Sequence, residues 1–336
     1  MASNNIFHGY AVREKGGKWE PFEFDAGEIG HEEVELRVLS CGICHAEVAM
    51  AHNNYGMTQY PFVGGHEIYG VVEKVGSGVT ALKVGQRAGV GWSAGSCTQC
   101  EYCEMGHQEC CLASKGVMLG RHGGFADRVR VKWNAATPIP DGVEGDHVGP
   151  LFCAGIAVFA PIIDFVRPEH KVGVIGIGGL GSIAVQMLKR WGCHVTALTS
   201  SEAKRKTALD LGAHATLSST DEEELKAAAG RFDVVISTVH VNLNWGLIVG
   251  TLKKLGRLHI LGASSEPIAV ASMALIMGHK TISSSGAGSD SHKRAMLDFV
   301  KRHSIQPEVE VFPFARINDA FTRLEANPQG RLVLKW

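Results

Sequence analysis

Val172-Gly-Val-Ile-Gly-Ile-Gly-Gly-Leu-Gly181 is an apolar run that opens into glycines, and Ser182-Ile-Ala-Val-Gln-Met-Leu-Lys189 follows at once. The two read as a strand, a tight turn and a helix start. Gly176, Gly178 and Gly181 stand at the G-x-G-x-x-G spacing, with Gly179 and Leu180 filling the interval. That spacing serves the turn, lets backbone approach a pyrophosphate, and lets helix and strand pack closely. A pyrophosphate there rests on unpaired N–H groups of the helix N-terminus, where the macrodipole also favours it. A glycine-rich loop without a ligand has the same composition. Context favours the dinucleotide reading, because a second strand, Cys193-His-Val-Thr-Ala-Leu-Thr199, follows at βαβ distance.

Helical and buried-strand patterns alternate from Leu151 onward: Ala154–Phe165, Val172–Ile177, Ser182–Trp191, Val195–Thr199, Ala203–Leu211, Phe232–Ser237, Trp245–Lys254 and Gly256–Leu261. Strands alternating with helices predict a doubly wound parallel sheet. Upstream the chain is β-rich: Val34-Glu-Leu-Arg-Val38 is apolar at every second position, as in a half-buried strand. The last fifty or so residues carry helix signals at Lys293–His303 and Ile317–Glu325 and a closing strand at Leu332–Lys335, with no βαβ repeat of their own. They are expected to return to the first domain. The α/β chain then divides into a first domain of residues 1–153 with 287–336 and a second of residues 154–286.

At 336 residues there is room for two cores. The 45% hydrophobic content lies in short runs, none near the roughly 18 apolar residues of a membrane span. Met-Ala-Ser-Asn-Asn at the start lacks the features of a signal peptide, so the cytoplasm is expected. Thirty-three basic against thirty-four acidic residues leave no basic stripe for nucleic acid. Nine cysteines in such a chain point to metal or chemistry before disulfides.

Cys97, Cys100 and Cys103 stand at two-residue spacings, and the adjacent pair Cys110 and Cys111 follows one loop later. Three thiolates and a fourth form a closed tetrahedral zinc knot, structural because no coordination position stays open. Spacing leaves Cys110 and Cys111 as alternatives. Cys44, His66 and Cys153 are far apart and individually ordinary: a buried cysteine beside glycine is usually a small core residue.

Together, Gly42-Ile-Cys-His45, Gly65-His-Glu67, the cysteine lobe, Leu151-Phe-Cys-Ala-Gly155 and Gly176-Ile-Gly-Gly-Leu-Gly181 give five motifs in order. The chain resembles, over nearly its whole length, the zinc-dependent alcohol dehydrogenases of the medium-chain dehydrogenase/reductase family, closest to the cinnamyl-alcohol-dehydrogenase-like branch. The resemblance implies a GroES-like β-rich catalytic domain plus a Rossmann cofactor domain. It implies one catalytic zinc on Cys44, His66 and Cys153, with Glu67 as the alternate carboxylate, and one structural zinc with Cys111 as the fourth ligand. Cys41, Cys110 and Cys193 are left as spare thiols. Zinc then acts as a Lewis acid on a carbonyl oxygen and the nicotinamide supplies hydride.

The chain departs from the family at His45-Ala46-Glu47, where a hydroxyl residue usually follows the histidine and relays the substrate proton, and at Ala49, where many members carry a histidine. Glu47 takes the place of the aspartate that orients the zinc-bound histidine. Two readings follow: water replaces the hydroxyl and aldehydes are still reduced, which the intact ligand set favours, or the site reduces a conjugated C=C. A zinc- and NADP-binding protein without turnover is a third reading. By alignment to the family, Ser200 takes the place of the acidic residue that holds the ribose of NAD, and Lys204 and Arg205 lie one turn on to pair with a phosphate. NADP(H) is therefore expected, with Glu202 beginning the next helix. Tyr55, Trp92 and Met273 fall where members line the substrate pocket, implying a primary alcohol or aldehyde that is aromatic, allylic or of medium chain length, although each is equally a core candidate. Lys280-Thr-Ile-Ser-Ser-Ser285 reads as the edge strand through which the family forms homodimers.

Overall fold

The computed structural model describes residues 5–336 apart from Ser265, Asn327 and Gln329. The chain forms two compact units, residues 1–156 with 287–336 and residues 157–286. The strands of the first are β1 (Ile6–Val12), β2 (Trp19–Asp25), β3 (Glu33–Ile43), β4 (Glu67–Val75), β5 (Arg87–Val90), β6 (Arg128–Lys132) and β7 (Thr137–Pro138). Those of the second are β8 (Lys171–Ile175), β9 (His194–Leu198), β10 (Ala215–Leu217), β11 (Phe232–Ser237), β12 (Leu252–Ile260) and β13 (Thr281–Ser284). The chain then returns to the first unit with β14 (Val309–Pro313) and β15 (Arg331–Lys335).

In the first unit β1 and β2 form an antiparallel hairpin, and a second sheet runs β14-β15-β3-β4-β5-β7 with β6 added on β3. Val34, Leu36 and Val38 fill the core as their alternation predicts. Part of the opposite face of β3 is buried as well: Arg37 is exposed there, but Glu35 is fully enclosed and its charge is met by Arg130 Nη2 at 2.7 Å. A sheet strand with a paired charge on its second face cannot be told from a half-buried one by alternation alone. β15 runs antiparallel to β3, with Leu332 opposite Ile43 and Lys335 opposite Ser40. This register lays the last strand along the segment that leads into Cys44.

In the second unit all neighbouring strands are parallel, in the order β10-β9-β8-β11-β12-β13. The chain enters at β8 in the middle and winds outward both ways, which puts the topological switch point beyond β8. There Gly176 turns the chain at φ +85°, and a Cβ on Gly181 would lie 1.8 Å from the Gly176 carbonyl oxygen. Only glycine fits either place. The helix Gly179–Trp191 follows and ends at Gly192, φ +110°, a left-handed cap.

Two elements differ from expectation. The helix expected over 245–254 stops at Gly250, since the Phe232 N–H takes the Thr251 carbonyl and draws Leu252 into β12 beside β11. The helix expected from Ala154 is continuous from Val148 to Phe165 through a π-helical turn at Leu151–Gly155. Val148–Phe165 is long and apolar enough to cross a membrane, yet 78% of it is buried inside the protein, as in a core helix.

Candidate active site

The site grows from the end of β3, where Cys44 follows Ile43, and from the start of β4 at Glu67. Cys44 caps the helix His45–Ala51, and its backbone N–H donates to Glu47 Oε2 at 2.9 Å. The other oxygen of Glu47 accepts from His66 Nδ1 at 2.5 Å. One buried carboxylate thereby fixes both the helix start and the tautomer of His66, whose Nε2 is left free to face Cys153 Sγ at 3.2 Å. Cys153 arrives on the π turn, a distortion that often marks functional positions.

Cys44 Sγ, His66 Nε2, Cys153 Sγ and a Glu67 oxygen all lie within 4.8 Å of one another. Ligand atoms sharing one tetrahedral zinc stand about 3.7 Å apart, so this donor set fits such an ion. A second observation agrees: Glu67 Oε2 is buried and has no hydrogen-bond partner. Its Oε1 is held by the Arg331 guanidinium, which also donates to the Ile43 carbonyl at 3.3 Å. Burial pushes Glu67 up to about 7, against the pull of Arg331. The Cys153 thiol donating to it, with His66 and Arg331 beyond, holds Cys44 well below the ordinary thiol range. Gly42 leaves room for this packing, because a Cβ there would lie 2.0 Å from Glu67 Oε2.

Cys97, Cys100, Cys103 and Cys111 form a second set within the same limit, with Cys97 Sγ 3.5 Å from Cys111 and 4.0 Å from Cys103. Cys110 stays exposed, outside the set. Four sulfurs without an open side fit a structural zinc. Backbone N–H groups of Cys103 and Leu112 lower Cys100 to about 6, which favours the thiolate a metal needs.

The remaining expected residues are dispersed. His45 is exposed at the first turn of its helix, followed by Ala46, with Ala49 one turn on. Trp92 meets the His66 ring edge-on, centroids 5.3 Å apart. Tyr55 is 45% exposed on the loop after the same helix, and Met273 is 58% exposed in the second unit. Neither belongs to a core. Just past the end of β9 in the second unit Ser200 is exposed, and Ser201 caps the next helix by accepting from the Lys204 N–H. Among the described residues neither the Ser200 hydroxyl nor the Lys204 ammonium has a side-chain partner, and the Lys204 contact is that of its backbone N–H with Ser201. Arg205, expected beside them, pairs instead with Glu202 at 3.2 Å and Glu224 at 3.2 Å, because the helix Glu222–Ala227 brings Glu224 within its reach. Arg331 and Glu224 are the residues sequence reasoning missed. The only local signal for the first was an arginine opening an otherwise apolar closing strand.

Residues 30–141 match the family described as Alcohol dehydrogenase GroES-like domain, and residues 179–302 match that described as Zinc-binding dehydrogenase. The aldehyde reductase AdhA of Synechocystis sp. is 44% identical, over 94% of this chain and 95% of its own length. A cinnamyl alcohol dehydrogenase structure from Sorghum bicolor superposes with a TM-score of 0.93 at 36% identity, covering 98% of this chain and 97% of that one. The cinnamyl alcohol dehydrogenase of Helicobacter pylori, solved in complex with NADP(H), gives 0.89 at 27% identity, with 98% of each chain covered.

Proposed function

We propose that this chain, which belongs to the zinc-dependent alcohol dehydrogenases of the medium-chain dehydrogenase/reductase family, in the cinnamyl-alcohol-dehydrogenase-like branch, reduces aromatic, allylic or medium-chain aldehydes and oxidises the matching primary alcohols with NADP(H). The observation that carries the reading is the open donor set of Cys44, His66 and Cys153 beside a Glu67 oxygen that has no partner. These three residues would hold a catalytic zinc, and Cys97, Cys100, Cys103 and Cys111 a structural one. When bound, zinc polarises a carbonyl oxygen as a Lewis acid and NADPH supplies the hydride.

The chain's own residues prepare that chemistry. Glu47 accepts from His66 Nδ1, so in the neutral ring Nε2 is the nitrogen with a lone pair for the metal. Arg331 restrains one oxygen of Glu67 and offsets the charge that burial makes costly. Trp92 closes one side of the His66 ring, and with Tyr55 it supports an apolar aldehyde. In the second unit the loop Gly176–Gly181 would hold the pyrophosphate of the cofactor, and Ser200 and Lys204 would hold its 2′-phosphate. Ala46 and Ala49 carry no group that passes a proton, so water must deliver it to the carbonyl oxygen.

A conjugated enal tests the reading directly. With NADPH the expected product is the allylic alcohol. A saturated aldehyde would favour C=C reduction, and an absence of NADPH oxidation with any aldehyde would favour a binding protein. The cytoplasm belongs to the same proposal, supported by nine cysteines of which none is in a disulfide.

The quaternary reading has its own support. β13 is the edge of its sheet, and Leu255, Ile276 and Met277 on the same unit are 78%, 61% and 70% exposed. An edge strand with apolar side chains beside it is stabilised by pairing with a second copy. Light scattering is expected to give a homodimer at micromolar concentration. A monomer there would remove this part of the account.

A further inference from the structure

We propose that Glu224 tunes the grip on the 2′-phosphate of NADPH by holding Arg205 away from it, leaving Lys204 as the cation that meets the phosphate. The inference rests on the NADP(H) reading above and adds a residue that the reading does not contain. Lys204 and Arg205 are neighbours at the start of the helix Glu202–Asp210, and a basic pair there looks like a double phosphate clamp. The side chains divide the work differently. Arg205 Nη2 lies 3.2 and 3.5 Å from the two oxygens of Glu224, and its Nε lies 3.2 Å from Glu202.

Glu224 is itself held in place. Its Oε2 accepts from the Ser218 N–H at 2.7 Å, and its own N–H is capped by Asp221 at 2.9 Å. The two carboxylates are not equivalent. The Glu202 side chain is 91% exposed and solvent screens it, whereas Glu224 is 38% exposed and Arg205 only 23%. The Glu224 contact is therefore the one a phosphate must compete with. The Glu224 charge also offsets that of Arg205, so the attraction left for a phosphate there is that of Lys204. Both effects weaken NADPH and neither touches NADH, which lacks the 2′-phosphate.

Glu224→Gln keeps the acceptor for Ser218 and removes the charge, so the fold is preserved while Arg205 is released. Dissociation constants for NADPH and NADH, read from the fluorescence of the nicotinamide on titration at fixed ionic strength, test the idea without turnover. Glu224→Gln should tighten NADPH about three- to tenfold, the reach of a partly exposed charge pair, and leave NADH unchanged. In an Arg205→Ala background the same substitution should gain less than about twofold, while Lys204→Ala should weaken NADPH about tenfold. No tightening by Glu224→Gln, or an equal gain without Arg205, would overturn the inference alone. A wild-type protein that binds NADH as tightly as NADPH would overturn the NADP(H) reading and this inference with it.

Discussion

Cys44→Ser is expected to take the protein from two zinc ions per chain to one and to lower aldehyde reduction about 10³- to 10⁵-fold. A serine hydroxyl stays protonated near neutral pH, so the substitution removes a thiolate from a set that has only three firm donors, Cys44, His66 and Cys153. Lewis-acid stabilisation of a developing oxyanion is worth several kcal/mol, and each 1.36 kcal/mol is tenfold in rate, which gives about that range. The lobe of Cys97, Cys100, Cys103 and Cys111 is a separate cluster and should keep its ion. Elemental analysis of the two proteins decides the matter. A wild type with one zinc, unchanged by Cys44→Ser, would remove the catalytic metal from the account.

Ala46→Ser is expected to raise aldehyde reduction, by as much as about 10²- to 10⁴-fold, the range that a positioned proton donor contributes. The residue sits one position past His45 on the first turn of the helix that Cys44 caps, and neither it nor Ala49 offers a polar atom. A hydroxyl at 46 would replace a diffusing water with a fixed donor, at no cost to the Glu47 and His66 contacts that orient the donor set. Single-turnover measurement is the proper readout, because slow cofactor release would hide a faster proton step. A serine variant that gains nothing in single turnover, with zinc content intact, would mean that water already delivers the proton as fast as hydride arrives. If the wild type reduces only the C=C of a conjugated enal, the alanine is better understood as a specificity feature that withholds the proton from the carbonyl oxygen.

What could be read from the chain follows the range of the signals. The glycine loop and the cysteine lobe are local: their residues must stand at fixed spacings because one turn or one ion gathers them, so they are legible without a fold. Cys44, His66 and Cys153 are joined only by tertiary structure, and resemblance alone connected them beforehand. Arg331 had only a faint local signal, an arginine at the start of the closing strand, and no motif. Its partner Glu67 is 264 residues away and meets it only because β15 pairs with β3. The buried pair of Glu35 and Arg130 escaped for the same reason, since a charge at an alternating position reads as a solvent-facing one until its partner is known. Arg205 shows the opposite failure. Its local setting beside Lys204 suggested a phosphate clamp, and a carboxylate from the next helix claims it instead.

The pairing of β15 with β3 also bears on the order in which the first unit forms. The hydrogen bond from Arg331 to Ile43 spans 288 residues, with the whole second unit lying between in sequence. Closure entropy grows only with the logarithm of loop length, about 0.6 kcal/mol for each doubling, so so long an excursion costs the final stability little. Its cost is in time, because contacts distant in sequence form late. β3 and β4 are close in sequence and pair with Gly42 opposite Glu67, a contact that needs neither the second unit nor β15. The carboxylate beside the donor set is thus placed by strands near each other in the chain, whereas the guanidinium that holds it comes from the last strand to be made.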